Sequence, residues 1–354
     1  MSSEAKFFKK SKALPVDKFI ENVLYDNKVG YYNSNFPFGN KGDFVTAPTI
    51  SRLYSEMIAI WMVSTWEIFG KPKNFNIVEL GPGDGSFIKI LLDVSKKFPK
   101  FNSSKNIYLY EKSNFLKKVQ KKTIKNNKIK WIENFKTINN GPVIFFGNEF
   151  FDAIPIKQFK VQNNTLNEKF FILEKNNKIK ESFLNAKKDD IKNIKSFKIL
   201  KNLKFIEFPK SGLKELEKIT QTISRLSGCI LMVDYGYLKP NNKDTIQSVI
   251  KNKKNKLLNN LGKADITSHV NFSLLNEFFL KKNLSVKKII SQRDFLNNMG
   301  IMQRAEIIAR KMQFREKTNL YLRLKRLLSP KLMGELFKVI LAYDFKKKDY
   351  FGFN

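Results

Sequence analysis

The chain is poor in the residues that build disulfides and metal sites. It contains one cysteine, Cys229, and one histidine, His269, among 354 residues. A single cysteine excludes an internal disulfide and a CxxC motif, and a single histidine excludes a multi-histidine metal site. The apolar neighbours of Cys229 predict a small core residue. We predict that His269 is a loop histidine that makes a hydrogen bond, although a Ser-His-Asp set could be built through it.

Long apolar runs are also missing. The longest candidate, Met57 to Trp66, lies between Glu56 and Glu67 and is shorter than a membrane span, so we predict a buried helix there. The first ten residues include lysines but neither the apolar segment nor the small-residue cleavage site of a signal peptide. We therefore expect an intracellular, reducing location, which is the cytoplasm in a bacterium and the mitochondrial matrix in a eukaryote.

Acidic residues are few relative to basic ones, with 32 Asp and Glu against 66 Lys and Arg and a formal net charge of +34. A basic surface binds nucleic acid through counterion release. However, eight of the 66 basic residues are arginines, and the basic residues are spread from Lys6 to Lys348 instead of forming one stripe. A genome that drifts toward Lys and Asn codons produces this composition without any partner. A nucleic-acid partner is therefore not favoured, and another partner for the basic surface stays open.

The chain has enough apolar material for a core. Hydrophobic residues make up 42% of it, including 33 Phe, so disorder is not expected. Its length suits two domains or one large domain with insertions.

One segment carries the strongest chemical signal. Residues Ile77 to Gly85 read Ile-Val-Glu-Leu-Gly-Pro-Gly-Asp-Gly, an apolar run followed by a glycine-spaced turn and then by apolar residues at helical spacing. Glycines allow positive φ and close approach of a ligand to the main chain. We therefore assign four residues to a bound cofactor, namely Glu79, Gly81, Gly83 and Gly85.

The spacing of this turn decides between ligands. A dinucleotide fingerprint needs G-x-G-x-x-G to seat a pyrophosphate, whereas this turn is E-x-G-x-G-x-G. S-adenosylmethionine (SAM) carries no phosphate, and its cationic sulfonium favours a nearby carboxylate. The pattern thus favours SAM over NAD. A tight turn with no ligand is the alternative interpretation of these residues alone.

From Phe75 the sequence alternates strand and helix patterns, which is typical of an α/β fold with a mostly parallel sheet. We predict strands at 76–80, 107–110, 128–132 and 143–147, and helices at 86–98 and 114–124. Ligands of such sheets bind outside the carboxyl ends of the strands. Glu111 follows the second strand, where its carboxylate can accept both ribose hydroxyls of an adenosyl group. An ordinary solvated glutamate is the alternative.

The fourth strand leads into Asn148-Glu-Phe-Phe-Asp152. Two carboxylates, Glu149 and Asp152, lie three residues apart where a methyl acceptor would meet the sulfonium. The alternative is that Asn148 and Glu149 cap a helix. Asp234 ends a later apolar run, Cys229 to Asp234, and lies at another predicted strand end.

These patterns predict four regions. Residues 1–72 form an N-terminal helical cap with helices at 16–27 and 50–69, and residues 73–155 with 226–300 form the Rossmann-like core. Residues 156–225 are predicted to be an insertion that faces the substrate, beginning with a β-hairpin turned at Asn163-Asn164. Residues 301–354 are predicted to hold C-terminal helices, at 302–328 and 332–341.

The motifs together resemble one family, the MidA-type SAM-dependent methyltransferases. The matching segments run in family order through nearly the whole chain and are Gly30-Tyr-Tyr32, Phe38-Gly39, Gly42-Asp-Phe44, Thr46-Ala-Pro48, Ile50-Ser51, Val78 to Gly83, Gly85, Asn148 to Ala153, Asp234-Tyr-Gly236, Ala264 to Thr267, Val270, Phe272, Met299-Gly-Ile301, Arg304, Met333-Gly334 and Leu336 to Val339. The resemblance implies a class I SAM-dependent methyltransferase fold, with Asp43 and Asn148 added to the cofactor-binding set.

Mitochondrial members of this family are protein arginine methyltransferases and complex I assembly factors. The resemblance thus implies methyl transfer to an arginine of a protein, with a subunit of the respiratory NADH dehydrogenase as the leading acceptor. Guanidinium is a delocalised, protonated and therefore poor nucleophile, and carboxylates can fix its plane through bidentate hydrogen bonds. We assign Glu149, Asp152 and Asp234 to that catalytic work. No metal is expected.

Four positions depart from the family pattern, and two other functions compete. Thr49 replaces a Glu, Asp84 an Arg, Tyr237 a His and Asn271 an Asp, which leaves the glycines and Glu111 intact but bears on substrate choice. One alternative keeps the fold and SAM but methylates RNA or DNA, and binding that is lost on nuclease treatment would favour it. The other is a non-catalytic assembly chaperone that has kept the fold, and calorimetry with SAM tests it.

Overall fold

The computed structural model describes residues 5–34, 46–345 and 349–353. The strands in these residues are β1 (Ala13–Pro15), β2 (Phe75–Leu80), β3 (Lys105–Tyr110), β4 (Lys130–Ile132), β5 (Val143–Asn148), β6 (Lys157–Gln162), β7 (Thr165–Leu173), β8 (Ile179–Asn185), β9 (Phe205–Phe208), β10 (Gly228–Tyr237), β11 (Gln247–Ile250), β12 (Lys253–Asn255), β13 (Asp265–Thr267), β14 (Val270–Asn271), β15 (Ser285–Val286), β16 (Ile290–Ser291) and β17 (Phe337–Asp344).

The helices in the same residues are α1 (Ala5–Phe8), α2 (Val16–Tyr25), α3 (Tyr31–Ser34), α4 (Ala47–Ile50), α5 (Arg52–Ile68), α6 (Ser86–Ser95), α7 (Pro99–Ser104), α8 (Asn114–Ile124), α9 (Lys188–Lys195), α10 (Lys210–Leu226), α11 (Phe272–Lys281), α12 (Gln292–Asn298), α13 (Ile301–Ala309), α14 (Phe314–Leu328) and α15 (Met333–Leu336). Within this part of the chain, no helix is both long and apolar enough to cross a bilayer.

A nine-stranded sheet forms the centre of the molecule. Its main path is β15-β17-β10-β5-β2-β3-β4, with β14 beside β10 and β16 beside β17. Along this path, the neighbouring strands β10, β5, β2, β3 and β4 pair in parallel, whereas β17 runs antiparallel to β10. Strands β3 and β4 lie on one side of β2. The chain then crosses to the other side of β2, where it forms β5 and β10. This reversal creates a crevice at the carboxyl ends of β2 and β5, where ligands of such sheets bind.

Helices cover both faces of this sheet, and apolar residues separate into two layers accordingly. One layer holds α5, α6 and the C-terminal helices, with Trp61 and Phe87 buried in it. The other holds α10 and α11, with Leu216 and Phe279 buried in it. The predicted α/β class with a mostly parallel sheet is confirmed, and the four core strands begin and end within two residues of their predicted bounds.

The segment from Leu332 to Leu341 was predicted to be a helix, and that prediction is wrong. Only the single turn α15 is helical, and β17 follows it as an eight-residue strand paired with β10. Both faces of β17 are covered: Val339 and Leu341 pack in one layer, Ile340 and Ala342 in the other. A strand buried on both faces is a continuous apolar run, which periodicity cannot distinguish from a buried helix. The C-terminal region is therefore not only helical but part of the core sheet.

Three other boundaries differ from the prediction. The helix predicted over 302–328 is two helices, because Gln313 begins α14 with a capping box to Glu316. The helix predicted over 86–98 ends at Ser95, and Pro99 starts α7. Finally, α10, which the prediction places within the insertion, packs on the central sheet.

The N-terminal region and the insertion share a second sheet, ordered β1-β7-β6-β9 with β8 beside β7. The predicted hairpin is present as β6 and β7, turned at Asn163 and Asn164. Because β1 pairs with β7, the N-terminal cap is not purely helical. The buried ammonium of Lys157 reaches carboxylates of Asp17, Glu168 and Asp190, which ties helix α2 to the insertion.

Candidate active site

A cavity of about 430 Å³ opens at the carboxyl ends of β2, β3 and β5. Eight acidic side chains line it, whereas only two basic ones, Lys112 and Arg326, do so among the described residues. The acidic ones are Glu21, Glu79, Asp84, Glu111, Glu149, Asp152, Glu215 and Asp265. This concentration of acids lies in a chain with a formal net charge of +34. The cavity therefore suits a cationic ligand far better than a phosphate.

The glycine turn forms one end of the cavity. Gly81, Gly83 and Gly85 have φ values of +62°, +57° and +80°, a region that other residues adopt only with strain. Gly81 and Gly83 line the cavity, whereas Gly85 precedes α6 behind it. A Cβ on Gly81 would lie 3.0 Å from the side chain of Phe150, in the segment that follows β5. The turn is thus shaped both by its backbone conformation and by close packing.

Glu79 lies behind this turn, near the end of β2, and is 5% exposed. Its Oε2 atom has no hydrogen-bond donor within the described residues. Burial, reinforced by the charges of Asp84 and Glu111, raises the pKa of Glu79 well above its usual range. A buried carboxylate without a partner is costly, so this atom is suited to a polar or cationic ligand group in the cavity.

Asp84, the unexpected residue of the turn, has a structural role. Its Oδ1 atom accepts a hydrogen bond of 3.0 Å from the backbone N–H of Ser86, the first residue of α6. An acidic side chain at a helix N-terminus satisfies a free donor and interacts favourably with the helix dipole. Asp84 also lines the cavity, so it adds negative charge beside the turn.

Glu111 and the glycine turn are joined by a side chain that the sequence did not identify. Gln120, fully buried on α8, donates from Nε2 to the carbonyl of Gly83 at 2.9 Å and to Glu111 Oε2 at 3.1 Å. Its Oε1 atom accepts the indole N–H of Trp131 at 2.8 Å. The other oxygen of Glu111 accepts the N–H of Ser113 at 2.8 Å. Gln120 therefore fixes the Glu111 carboxylate and the turn relative to each other.

The segment Asn148 to Asp152 forms the opposite end of the cavity. Glu149 has a φ of +50°, a conformation that costs energy for a residue with a Cβ. Its Oε1 atom accepts the side-chain amide of Asn148 at 3.2 Å and the N–H of Ala47 at 3.3 Å. Asn148 in turn accepts the hydroxyl of Tyr54 at 2.6 Å. Burial and the nearby Asp152 raise the pKa of Glu149 to about 8.

Asp152 and Asp234 have different environments. Asp152 lines the cavity, and its Oδ1 atom has no hydrogen-bond donor in the described part of the chain. Burial raises the pKa of Asp152 to about 6. Asp234 does not line the cavity, and it accepts backbone N–H groups of Phe151 at 2.9 Å, Asp152 at 3.2 Å and Tyr235 at 2.9 Å. Burial and the carboxyls of Asp152 and Glu149 raise the pKa of Asp234 well above its usual range.

A tyrosine-rich wall faces this segment, and sequence reasoning did not single it out. Tyr25 and Tyr32 stack with ring centroids 5.3 Å apart. The Tyr25 hydroxyl donates to the carbonyl of Ala153 at 3.1 Å, and the Tyr32 hydroxyl donates to Asp265 at 3.0 Å. Tyr25, Tyr32 and Asp265 belong to α2, α3 and β13, and β13 lies far from the two helices in sequence. The only earlier signal was the presence of Gly30-Tyr-Tyr32 and Ala264 to Thr267 among the matching family segments.

His269 also lines the cavity and lies in a loop, as predicted. Its ring meets that of Tyr235 edge-on at 5.4 Å, and its backbone N–H donates to Thr245 Oγ1 at 3.0 Å. Burial lowers the pKa of the His269 imidazole. The described residues contain no group of three or more Asp, Glu, His or Cys side chains arranged to hold a metal ion.

The structure brings together most of the predicted site residues. Glu79, Gly81, Gly83 and Glu111 line one end of the cavity, and Asn148, Glu149 and Asp152 line the other. Gly85 and Asp234 support the two ends from behind. Asp43, the remaining cofactor-binding prediction, lies outside the described residues.

These residues fit SAM. The unpartnered Oε2 of Glu79 and the backbone of Gly81 and Gly83 lie at one end, beside Glu111. Glu79 and the turn would hold the cationic methionine part, and Glu111 would accept the ribose hydroxyls with lone pairs that Ser113 and Gln120 leave free. When bound, SAM supplies an electrophilic methyl group on a positively charged sulfur.

Comparison with known sequences points to the same cofactor. The sequence model of a family described as S-adenosyl-L-methionine-dependent methyltransferases matches residues 57–290. The human protein arginine methyltransferase NDUFAF7, mitochondrial, is 28% identical over 362 residues, covering 92% of this chain and 78% of its own length. The zebrafish (Danio rerio) protein of the same name is 27% identical over 348 residues, with 92% and 82% covered.

Comparison with solved structures supports the fold. A Burkholderia thailandensis protein crystallised with S-adenosyl-homocysteine superposes with a TM-score of 0.80 at 20% identity, covering 100% of this chain and 92% of its own. A second structure from the same organism gives a TM-score of 0.82 at 20% identity, with 99% and 93% covered. The predicted family, cofactor and methyltransferase fold are confirmed.

Proposed function

Because the chain belongs to the family of S-adenosyl-L-methionine-dependent methyltransferases, we propose that it transfers the methyl group to an arginine side chain of a protein. The observation that carries this proposal is the charge of the cavity, where, among the described residues, eight acidic side chains face two basic ones in a chain with a formal net charge of +34. A guanidinium is the cationic protein side chain that donates bidentate hydrogen bonds to carboxylates. The relatives named as protein arginine methyltransferases support the same acceptor.

Glu149 and Asp152 are the residues that we assign to the guanidinium. Glu149 Oε1 is already held by Asn148 and Ala47, so its second oxygen is available for the acceptor. The unpartnered Oδ1 of Asp152 provides a second acceptor atom in the same cavity. Together they can orient the guanidinium plane and draw positive charge away from the attacking nitrogen. Correct alignment supplies much of the acceleration in such a displacement.

The proton balance also involves these carboxylates. The attacking nitrogen forms a bond to carbon, the carbon–sulfur bond breaks, and one N–H proton must leave to restore a stable methylated guanidinium. Burial raises the pKa of Glu149 to about 8 with no acceptor bound. A guanidinium beside it favours the ionised carboxylate, and this carboxylate is a stronger base than that of an ordinary glutamate. We assign the proton to Glu149. Asp234 is a positioning residue, since both of its oxygens are bonded to the backbone of the loop.

The charge of the cavity argues against a nucleic-acid acceptor, because its carboxylates would repel phosphate groups close to the reacting atoms. For the acceptor protein, we propose a subunit of the respiratory NADH dehydrogenase, with methylation supporting assembly of that complex. This part of the proposal depends on the family resemblance and not on the cavity.

The activity is tested with purified protein, SAM labelled in its methyl group, and matched peptides that carry one arginine or one lysine. We expect methylarginine in the hydrolysed arginine peptide and no label on lysine. Label on lysine or on added RNA, with none on arginine, would refute the proposal. Mass spectrometry of the NADH dehydrogenase from cells with and without this gene then identifies the subunit, and an unchanged complex would refute that part.

A further inference from the structure

The C-terminal segment forms one wall of the cavity mouth. Arg326 of α14, Met333 and Leu336 of α15, and Phe337 at the start of β17 all line the cavity. Arg326 is close enough to Glu149 to lower the pKa of that carboxyl, against the larger effect of burial. A side chain bound in the cavity therefore lies beside α15 and the C-terminal part of α14.

Large apolar side chains are exposed along this same segment. Phe314 is 86% exposed and Leu322 is 58% exposed on α14, while Leu336 is 43% exposed at the mouth. With Tyr321 and Leu332, which are also exposed, these residues define the C-terminal face. At 100° per residue, Phe314, Tyr321 and Leu322 lie within one third of the helix circumference, and Leu324 and Leu327 point into the core on another side.

The C-terminal face reaches well beyond the cavity. Phe314 and Arg326 are twelve positions apart on α14, which corresponds to about 18 Å at 1.5 Å per residue. Several large apolar side chains exposed on one side of a helix are a candidate interaction site. Its inner end lies at the mouth, since Leu336 belongs both to the face and to the cavity lining.

The charge of helix α14, which carries most of this face, is opposite to that of the cavity. Helix α14 carries five basic residues and one acidic residue, namely Arg315, Lys317, Arg323, Lys325 and Arg326 against Glu316. The cavity beside it is lined by eight acidic side chains. A partner that matches both surfaces has a cationic side chain for the cavity and acidic and apolar residues around it.

We propose that the C-terminal face is the docking surface for the methyl-acceptor protein, and that the target arginine lies among acidic and apolar residues. This inference rests on the proposed arginine methylation. An acceptor that places its arginine between Glu149 and Asp152 must cover the mouth, and the C-terminal face continues from it. The same charges disfavour arginines within basic, glycine-rich tails, because those tails would bring positive charge against α14.

The test uses two peptides of equal length, each with one central arginine. In one peptide, acidic and apolar residues flank the arginine, and in the other glycine and lysine flank it. We expect kcat/KM for the acidic peptide to be higher by about tenfold at low salt, which corresponds to about 1.4 kcal/mol. The preference should shrink as salt screens the charges. Equal or reversed preference would overturn the docking proposal but leave arginine methylation standing, whereas no turnover of either peptide would refute both.

Variants locate the effect on the molecule. Leu322→Ser and the double change Arg323→Glu with Lys325→Glu should each reduce the preference for the acidic peptide severalfold, with SAM affinity unchanged. Leu280→Ser is the matched control, because Leu280 is 53% exposed on α11 in the opposite layer. An equal loss in the control, or no loss in the α14 variants, would contradict the assignment.

An amphipathic basic helix could instead bind an anionic membrane. Flotation with vesicles of equal parts phosphatidylcholine and phosphatidylglycerol distinguishes this case. Vesicle binding that Leu322→Ser abolishes, together with an unchanged peptide preference, would assign the C-terminal face to a membrane and overturn our proposal. No dependence of vesicle binding on Leu322, with loss of the peptide preference, would support it.

Discussion

The two ends of the cavity are built in different ways. The cofactor end comes from one continuous stretch, in which Glu79, the glycine turn, Glu111 and Gln120 lie on successive elements from β2 to α8. The acceptor end is assembled from parts that are distant in the chain: Tyr25 and Tyr32, Ala47 and Tyr54, the segment 148–152, Asp234, and residues 265–269.

Backbone strain is handled differently at the two ends as well. At the cofactor end, every positive φ in the turn falls on a glycine, which adopts it at little cost. At the acceptor end, Glu149 adopts a φ of +50° despite its side chain. Its backbone N–H donates to the carbonyl of Val233 at 2.9 Å, and Asp234 holds the next residues. The difference shows that a glycine turn can be specified locally, whereas a strained loop built from other residues needs support from elsewhere.

The largest expected effect is a loss of methyl transfer without loss of SAM binding, which distinguishes the acceptor end of the cavity from the cofactor end. Glu149→Gln removes the proposed base and one guanidinium contact, so we expect methyl transfer to fall by at least about a hundredfold. SAM affinity, measured by calorimetry, should change by less than about twofold because Glu149 lies at the acceptor end. Glu133→Gln is a suitable control, since the Glu133 side chain is 87% exposed and outside the cavity lining. Transfer at the normal rate in Glu149→Gln would refute its catalytic role.

A second variant tests whether the acceptor loop depends on distant support. In Asp234→Asn, the amide nitrogen must face at least one backbone N–H in either orientation, because both carboxylate oxygens now accept such groups. Leaving buried donors unsatisfied costs about 1–3 kcal/mol each. We expect a lower melting temperature and a fall in kcat of about tenfold, with SAM affinity nearly retained. A rate loss without loss of stability would show that Asp234 acts in some way other than by holding the loop.

The third variant perturbs the cofactor end alone. Gln120→Met keeps the volume but removes the amide that joins Gly83 to Glu111, so SAM affinity should weaken by about tenfold. Trp131→Phe removes only the indole donor to Gln120 and should have a smaller effect in the same direction. The KM for an arginine peptide at saturating SAM should stay constant. Parallel losses of SAM and peptide affinity would indicate general unfolding in place of a positioning role.

The smallest expected effect is on stability as a function of pH. The pKa of Glu149 is raised from 4.5 to about 8, so between these values the folded state binds more protons than the unfolded state, and the free energy of unfolding falls as pH rises. Glu149→Gln removes this term, so it should be the more stable of the two proteins at about pH 9 but not at about pH 4. Denaturant titrations without cofactor at both pH values measure it, and parallel curves for the two proteins would contradict the raised pKa.

Secondary structure was predicted correctly where neighbouring residues specify it, and wrongly where a strand is buried on both of its faces. The helix predicted at 114–124 coincides with α8, because an N-cap serine and amphipathic spacing specify it. The β17 strand was mistaken for a helix, since its residues are apolar on both faces. Likewise, Asp84 was unexplained until the structure showed its bond to Ser86 at the start of α6. Gln120 had no signal at all, because one polar residue on a lysine-rich helix is ordinary.

The sequence by itself determined the glycine turn, the α/β class and the carboxylates of the segment 148–152, because strand-to-helix turns and strand ends are encoded by neighbouring residues. Only the tertiary structure decided which carboxylates face the cavity. Asp234 is buried among backbone donors, whereas Asp152 and Glu79 each have an oxygen without a hydrogen-bond partner in the described part of the chain. Among the same residues, eight acidic side chains line one cavity of a basic protein. Burial and long-range contacts set these environments, and neither is a property of any short segment.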